Sequence, residues 1–226
     1  MPTFCFDFVN TLAFHFEPTS ERISKILSDK FGISRSSTVI EKNMRILDEI
    51  HYFSSVSIQN EKSKKDFYLF KNREILKSLD IRQEKIAEEM YFELTHKKGD
   101  WKLFPETARI LQRLSSNGHT LALASNFDAN LKTIVHELGI SEFFQVIQVS
   151  AEINVEKPNL LFFRILMDQI PSNLGETYFI GDNKKLDYDP ALESGFIPIL
   201  LDPYVIHPSI PGRIETLNEI LSIAGE

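Results

Sequence analysis

The sequence contains only one cysteine, Cys5, which excludes an internal disulfide and a cysteine-rich zinc site. Its six histidines are scattered without the spacing of zinc ligands. No uninterrupted apolar run approaches the length of a transmembrane helix, and the N-terminus lacks the basic flank and apolar stretch of a signal peptide. These absences predict a cytoplasmic protein in a reducing compartment, with Cys5 as a buried and inert thiol.

Positive charge is also scarce. The 25 lysines and arginines stand against 32 aspartates and glutamates, which gives a formal net charge of -7. This balance argues against nucleic acid or an anionic membrane surface as the main partner. Hydrophobic residues make up 42% of the chain and include 18 phenylalanines, enough for a sizeable core. A length of 226 residues fits one large domain, or one domain that carries an insertion.

Strands alternating with helices are predicted for most of the chain. Apolar segments typical of buried strands lie at residues 3–12, 119–125, 144–149, 176–181 and 196–201. Because such strands alternate with helical patterns, we expect a parallel sheet covered on both faces, in an α/β core of residues 1–13 and 101–226. Pro198 suggests an edge position for the last strand.

Residues 14–100 interrupt this alternation with helical patterns alone. The first pattern places Ile23 and Leu27 on one apolar face, with Thr19 as the expected N-cap and Gly32 as the stop. Further helical patterns follow it. The sequence therefore predicts an all-helical unit inserted after the first strand.

Polar residues follow the predicted strands at the points where those strands end. They are Asp7, Ser125 with Asn126, Lys157, and Asp182 with Asp187. Taken singly, each has a simpler explanation, such as a turn or helix cap or a surface lysine. Because the carboxyl ends of parallel strands lie side by side, we expect the residues to converge on one crevice. A carboxylate nucleophile, a hydroxyl, an ammonium and further carboxylates for a cation together predict phosphoryl transfer.

The same residues resemble the motifs of the haloacid dehalogenase-like hydrolase superfamily, in order and over nearly the whole chain. The resemblance implies a Rossmann-like parallel core with a helical cap between the first and second motifs, where residues 14–100 fall. A branch of haloacid dehalogenase-like domain proteins, typified by the rhythmically expressed protein, is particularly similar. The segments that carry this likeness are residues 7–12, residues 125–128, and residues 181–183 with Asp187 and Tyr188.

The resemblance implies a role for each residue in catalysis and phosphate binding. Asp7 would attack phosphorus and form an aspartyl-phosphate, and Thr11 would orient it. Ser125 and the backbone amide of Asn126 would bind phosphate oxygens. Lys157 would stabilise the charge of the phosphorylated intermediate. The implied substrate is a small phosphorylated metabolite.

The resemblance also implies a Mg²⁺ site. Asp7 and Asp182 would bind the ion through their side chains, and Val9 through its backbone carbonyl. Asp187 would hold a metal-bound water or Lys157. Magnesium accepts such a site because it typically takes one or two carboxylates and keeps several waters.

Val9 departs from the superfamily pattern. Phosphatases of this kind carry a second aspartate two residues after the nucleophile, which protonates the leaving oxygen and then activates water. Losing a positioned general acid typically costs about 10²–10⁴ in rate. The sequence therefore allows a weak phosphatase limited to good leaving groups, or a catalytically silent module that binds a phosphorylated ligand or a protein. It also allows an enzyme whose acid or base comes from the cap or the substrate, with His15 as one candidate.

Two sister activities also lack that aspartate. The dehalogenases carry a tyrosine there and need no metal, whereas Asp182 and Asp187 here keep the metal-type motif. Phosphonoacetaldehyde hydrolases carry a small residue and use a cap lysine as a Schiff base, but no single lysine of residues 14–100 stands out. Of the remaining residues, we expect Trp101 to be a packing residue and Asn10 to serve a turn.

Overall fold

The computed structural model describes residues 1–51, 61–96, 101–171 and 175–225. The chain divides into two compact units. One comprises Met1–Phe14 and Trp101–Glu226, and the other His15–Asp100. Among the described helices, none combines the length and the apolar character needed to cross a membrane.

The strands form two sheets. They are β1 (Thr3–Phe6), β2 (Ala13–His15), β3 (Trp101–Leu103), β4 (Thr120–Ser125), β5 (Val146–Val149), β6 (Thr177–Gly181), β7 (Ile197–Leu201) and β8 (Arg213–Ile214). Six of them form a parallel sheet in the order β5-β4-β1-β6-β7-β8, while β2 pairs with β3. The predicted α/β class with a parallel sheet is confirmed, and β1 lies at its centre.

Helices connect the strands of the first unit and make up most of the second. They are α1 (Thr19–Phe31), α2 (Ser37–His51), α3 (Glu61–Ser78), α4 (Glu84–His96), α5 (Thr107–Ser116), α6 (Leu131–Glu137), α7 (Ser150–Ile153), α8 (Leu160–Gln169), α9 (Asp189–Glu193) and α10 (Glu219–Ile223). A 3₁₀ turn at Ser141–Phe143 precedes β5, and a π-helical turn at Lys184–Tyr188 follows β6.

Both faces of the large sheet are apolar because alternate side chains of each strand point to opposite faces. Phe4 and Phe6 of β1 lie in one hydrophobic cluster, and Cys5 lies in the other with Ala122 and Phe179. Cys5 is fully buried, as predicted. A strand buried on both faces reads as a continuous apolar run, which is why β1 could be recognised from its sequence.

The edge position predicted for β7 is wrong. The short strand β8 pairs with Leu200 and Leu201 and forms the sheet edge instead. Pro198 precedes these paired residues, so its missing amide does not interrupt the β7–β8 pairing.

The second unit contains α1 to α4 and has its own hydrophobic cluster, which includes Ile23, Leu27, Ile40 and Ile86. Gly32 ends α1 with φ 67°, as expected. The predicted cap at Thr19 is wrong, because Pro18 holds the N-cap position and no side chain caps the helix. Parts of the predicted 14–100 insertion, residues 52–60 and 97–100, lie outside the described residues.

Candidate active site

Asp7 lies directly after β1 and is held from two sides. Its amide donates to the carbonyl of Ile180 at 2.8 Å, which ties it to β6. Its Oδ1 accepts hydrogen bonds from Ser125 Oγ at 2.9 Å and from Lys157 Nζ at 2.7 Å. The side chain is only 8% exposed. A carboxylate this buried needs such partners, because an unpaired buried charge is costly.

Lys157 joins two carboxylates in the interior. Its Nζ lies 2.7 Å from Oδ1 of Asp7 and 2.6 Å from Oδ1 of Asp187, and its side chain is 3% exposed. Burial alone would lower the pKa of Lys157, but the charges and hydrogen bonds of Asp187 and Asp7 raise it above its ordinary value. The amine is therefore a fixed positive charge at neutral pH, and the simpler explanation as a surface lysine is wrong.

Asp187 is the second buried carboxylate of the site. Its Oδ2 accepts a hydrogen bond from the amide of Asn183 at 3.1 Å. Burial raises the pKa of Asp187 to about 6, and the nearby charge of Asp7 acts in the same direction, while Lys157 and the Asn183 amide oppose the shift. Close packing against Gly181 accompanies this burial, since a Cβ at residue 181 would collide with Cγ of Asp187.

Three carboxylates are close enough to hold one cation. Asp7, Asp182 and Asp187 each offer an oxygen within 4.8 Å of the others, and Asp182 is partly exposed. Oxygen donors of this kind fit a hard divalent cation such as Mg²⁺. The chemistry of the donor set is therefore compatible with the predicted metal.

The hydrogen bonds that close the turn after Asp7 do not use the backbone carbonyl of Val9 as an acceptor. The amide of Ala13 donates to the carbonyl of Phe8 at 3.0 Å, and the amide of Asn10 donates to the carbonyl of Ala13 at 2.7 Å. These two bonds bridge Val9 and Ala13 without using the Val9 carbonyl. Asn10 has φ 57°, as expected of a residue that serves a turn.

Thr11 is not joined to Asp7. Its hydroxyl is buried and makes no hydrogen bond within the part of the chain that the structure describes. Ser125 and Lys157 hold the Asp7 carboxylate instead. His15, the alternative acid or base, is exposed at the end of β2.

The side chain of Asn126 has a contact that sequence reasoning missed. The Lys157 amide donates to Oδ1 of Asn126 at 2.8 Å, and Nδ2 of Asn126 donates to the Lys157 carbonyl at 2.9 Å. The two residues are 31 positions apart, and no sequence signal points to this pairing. Ser150 was missed as well; its buried Oγ accepts from the Phe127 amide at 3.1 Å and so fixes the loop after β4.

Trp101 packs against aromatic rings, as predicted. Its ring centroid lies 5.1 Å from that of Phe8 and 5.5 Å from that of Phe127. Phe8 belongs to the hydrophobic cluster that contains Phe4 and Phe6, and Trp101 and Phe127 pack against that cluster.

The family follows from sequence comparison. A sequence model of the haloacid dehalogenase-like hydrolase family matches residues 33–197, and the chain therefore belongs to that family. The superfamily expected from the motifs is confirmed.

Curated relatives include phosphatases. The chain is 25% identical over 134 residues to haloacid dehalogenase-like hydrolase domain-containing protein 3 of Xenopus laevis, covering 58% of this chain and 51% of that protein. It is 32% identical over 98 residues to phosphoglycolate phosphatase of Yersinia pestis, covering 42% of this chain and 40% of that protein. The match thus spans about half or less of the length of these curated relatives.

Solved structures share the fold over the full chain. A HAD phosphatase from Thermococcus onnurineus superposes with a TM-score of 0.61 at 22% identity, covering 100% of this chain and 98% of that one. YfnB of Bacillus subtilis, described as a HAD-hydrolase bound to magnesium, gives a TM-score of 0.64 at 18% identity, covering 100% and 99%. At these identities the likeness establishes the fold alone.

Proposed function

We propose that this chain is a Mg²⁺-dependent phosphohydrolase that acts through Asp7 on a small phosphorylated metabolite with a good leaving group. The observation that carries the proposal is the buried Lys157 amine between the carboxylates of Asp7 and Asp187, beside Ser125. Desolvating three charged groups costs free energy that a purely structural site would avoid with apolar residues. Ionisable groups whose pKa values are perturbed by burial and by neighbouring charges cluster at functional sites. The phosphatases among the relatives support the same reaction class.

The chain's own residues account for the chemistry in two displacements. The Asp7 carboxylate attacks phosphorus, the bond from phosphorus to the leaving oxygen breaks, and that oxygen keeps the electron pair. Water then attacks phosphorus, and the bond from phosphorus to the Asp7 oxygen breaks. That oxygen keeps the electron pair and restores the Asp7 carboxylate, and the protons of the water leave with the inorganic phosphate. Lys157 offsets the negative charge next to Asp7, and Ser125 offers a hydroxyl at the same oxygen. A bound Mg²⁺ would be held by Asp7, Asp182 and the Val9 carbonyl and would supply positive charge toward the phosphate oxygens.

Val9 decides which leaving groups are accepted. Its isopropyl side chain has no proton to give, so an alkoxide leaving group would depart unprotonated. Acyl phosphates avoid this cost, because a carboxylate leaves without a proton. We therefore expect activity on acyl phosphates and on activated aryl esters, and little on ordinary phosphate esters.

We also propose that residues 14–100 form the cap that selects the substrate. The second unit has its own hydrophobic cluster, which supports treating it as a separate module. Side-chain contacts connect the helices of this unit. His51 of α2 lies 3.5 Å from Glu74 of α3, and Lys30 of α1 pairs with Glu93 of α4 at 2.7 Å.

A second candidate function is a catalytically silent module that binds a phosphorylated ligand or a protein. Val9 is the observation that favours it, because the residue removes the acid and base function while leaving its backbone carbonyl available. The two candidates differ in one measurable property, which is turnover.

The test is hydrolysis of acetyl phosphate and of p-nitrophenyl phosphate in the presence of Mg²⁺. The parent is compared with Asp7→Asn and Val9→Asp, and Val9→Asn is the matched control. Val9→Asn has nearly the shape of Val9→Asp but no carboxyl group. We expect Mg²⁺-dependent turnover that Asp7→Asn abolishes, and a gain for Val9→Asp of about 10²-fold or more on the nitrophenyl ester. Val9→Asn should show no such gain.

Other outcomes separate the candidates. An inactive parent with an active Val9→Asp variant would make the natural protein a silent binder with an intact pocket. Absence of both turnover and Mg²⁺ binding in every variant would show that the site itself is wrongly assigned.

A further inference from the structure

The side chain of Asn126 forms two hydrogen bonds of opposite sense with the backbone of Lys157. Oδ1 accepts from the Lys157 amide at 2.8 Å, and Nδ2 donates to the Lys157 carbonyl at 2.9 Å. Both amide functions of the side chain are therefore used by one residue on a distant segment. A pair of bonds in opposite directions fixes both the distance and the orientation of that peptide segment.

Asn126 is itself held by the sheet. It follows Ser125, the last residue of β4, and β4 pairs in parallel with β1, which leads into Asp7. The segment that carries Lys157 is not part of a helix or strand; it lies between α7 and α8. The Asn126 side chain thus connects this irregular segment to the strand next to Asp7.

We propose that Asn126 is a positioning residue whose side chain sets where the Lys157 amine lies between Asp7 and Asp187. The Lys157 side chain is long and flexible, so the amine reaches both carboxylates only if its backbone starts from the right place. This role belongs to the side chain and is separate from phosphate binding by the backbone amide. Its consequence for rate rests on the proposed function, but its consequence for the position of Lys157 does not.

Asn159 provides a matched control in the same segment. Its Oδ1 accepts from the amide of Leu161 at 2.9 Å and so caps α8. If loosening this segment in general were enough to move Lys157, Asn159→Ala would act like Asn126→Ala. If the amide pair is what matters, only substitutions at Asn126 will.

The first measurement needs no turnover. Amines are dimethylated with formaldehyde and borohydride, and labelling at each lysine is read by peptide mass spectrometry, with the half-exposed Lys132 as the internal reference. Lys157 should be protected in the parent and in Asn159→Ala. In Asn126→Ala its labelling should rise several-fold relative to Lys132. Asn126→Asp keeps the acceptor for the Lys157 amide and loses the donor, so its rise should be smaller.

The second measurement is a double-mutant cycle on acetyl phosphate hydrolysis. Asn126→Ala should lower kcat by about 10–100-fold, the size expected from misplacing a catalytic group. In the Lys157→Ala background the same substitution should cost little more, because the group it positions is already gone. A general structural defect would instead lower kcat by the same factor in both backgrounds.

The outcomes distinguish failure of the positioning role from failure of the proposed function. Unchanged protection of Lys157 in both Asn126 variants would overturn the positioning role, whatever the kinetics. A parent without turnover, together with increased labelling in the Asn126 variants, would overturn the proposed function and leave the positioning role standing. If Asn126→Ala does not fold, the isosteric Asn126→Asp decides the labelling result.

Discussion

At the residue scale, the acidic site depends on glycine at position 181, because only a residue without a Cβ fits there. Gly181 ends β6, and a Cβ there would collide with Cγ of Asp187. Gly181→Ala should therefore displace Asp187 or the strand, at a cost of about 1–3 kcal/mol in the free energy of unfolding. If Mg²⁺ binds as proposed, it should raise the melting temperature of the parent, and this rise should be smaller in Gly181→Ala, because a displaced Asp187 no longer holds a metal-bound water or Lys157. Thermal unfolding with and without Mg²⁺ measures both effects.

Gly175→Ala is the control for this substitution. The atom nearest to a Cβ at residue 175 would be 3.7 Å away, which is an ordinary van der Waals contact. Its stability and its response to Mg²⁺ should stay close to those of the parent. Full stabilisation of Gly181→Ala by Mg²⁺ would mean that Asp187 plays no part in holding the ion.

The candidate site was largely predictable from the sequence, for a topological reason. Ser125 ends a parallel strand, while Asp7 and Asp187 come after the ends of two others, and such strand ends meet at one edge of the sheet. The pairing of Asn126 with the Lys157 backbone was not predictable, because it depends on one rotamer and on an irregular segment. The family motif also did not reveal that the Thr11 hydroxyl lacks a hydrogen bond to Asp7, because such a bond depends on the rotamer of one side chain.

At the scale of elements, the connection between β7 and β8 is organised by Asp202. This buried carboxylate accepts hydrogen bonds from the amides of Ile206 and His207 at 2.9 and 2.8 Å, and from Nε of Arg213 at 3.2 Å. It follows a parallel strand just as Asp7 does, so position alone does not separate it from the candidate site residues. Its donors show a structural role instead.

Asp202→Asn should destabilise the protein in a pH-dependent way. Burial alone would raise the pKa of Asp202, but the His207 and Ile206 amides and Arg213 hold it below its ordinary value. The ionised form therefore stabilises the fold above the unfolded-state pKa of about 4, and this contribution is lost as the pH falls through the lower folded-state pKa. We expect the variant to lose about 1–3 kcal/mol at pH 7, and the difference to shrink at pH 3.

Urea unfolding at the two pH values measures this difference. Glu215→Gln is the control, because Glu215 pairs with the same Arg213 at 2.9 Å but is 58% exposed. An exposed pair contributes little, so this variant should stay close to the parent at both pH values. A loss in Asp202→Asn of the same size at pH 3 and pH 7 would contradict an electrostatic origin.

Element length explains which parts of the fold were predictable. The first helix, α1, spans several turns with an apolar face and a glycine stop, and its sequence pattern was recognisable. The strands β2, β3 and β8 contain three, three and two residues, too few to establish an alternating pattern. The edge position of β7 was mispredicted because β8 could not be seen.

At the scale of the whole molecule, the described residues form separate hydrophobic clusters in the two units. The second unit packs around residues such as Ile23 and Ile86. The first unit has one cluster on each face of its sheet, with Leu123 in one and Cys5 in the other. Because no residue is shared between the clusters of the two units, we expect the units to open with different free energies.

Cys5 offers a way to observe opening of the first unit. It is the only cysteine in the sequence, it is fully buried, and burial raises the pKa of its thiol. A thiolate-specific reagent should therefore not react with the native protein and should modify Cys5 only when the sheet opens. The rate of modification then reports the opening equilibrium of this unit.

Substitutions in the two units should affect this rate differently. Ile86→Ala and Leu123→Ala each remove a fully buried side chain and should each cost about 2–5 kcal/mol in the unit that contains them. Leu123→Ala should accelerate Cys5 modification strongly, whereas Ile86→Ala should melt the helical unit earlier, as seen by circular dichroism, and leave Cys5 protected. Equal acceleration by both substitutions would mean that the two units unfold as one cooperative structure, and that the helical insertion contributes to the stability of the sheet that carries Asp7.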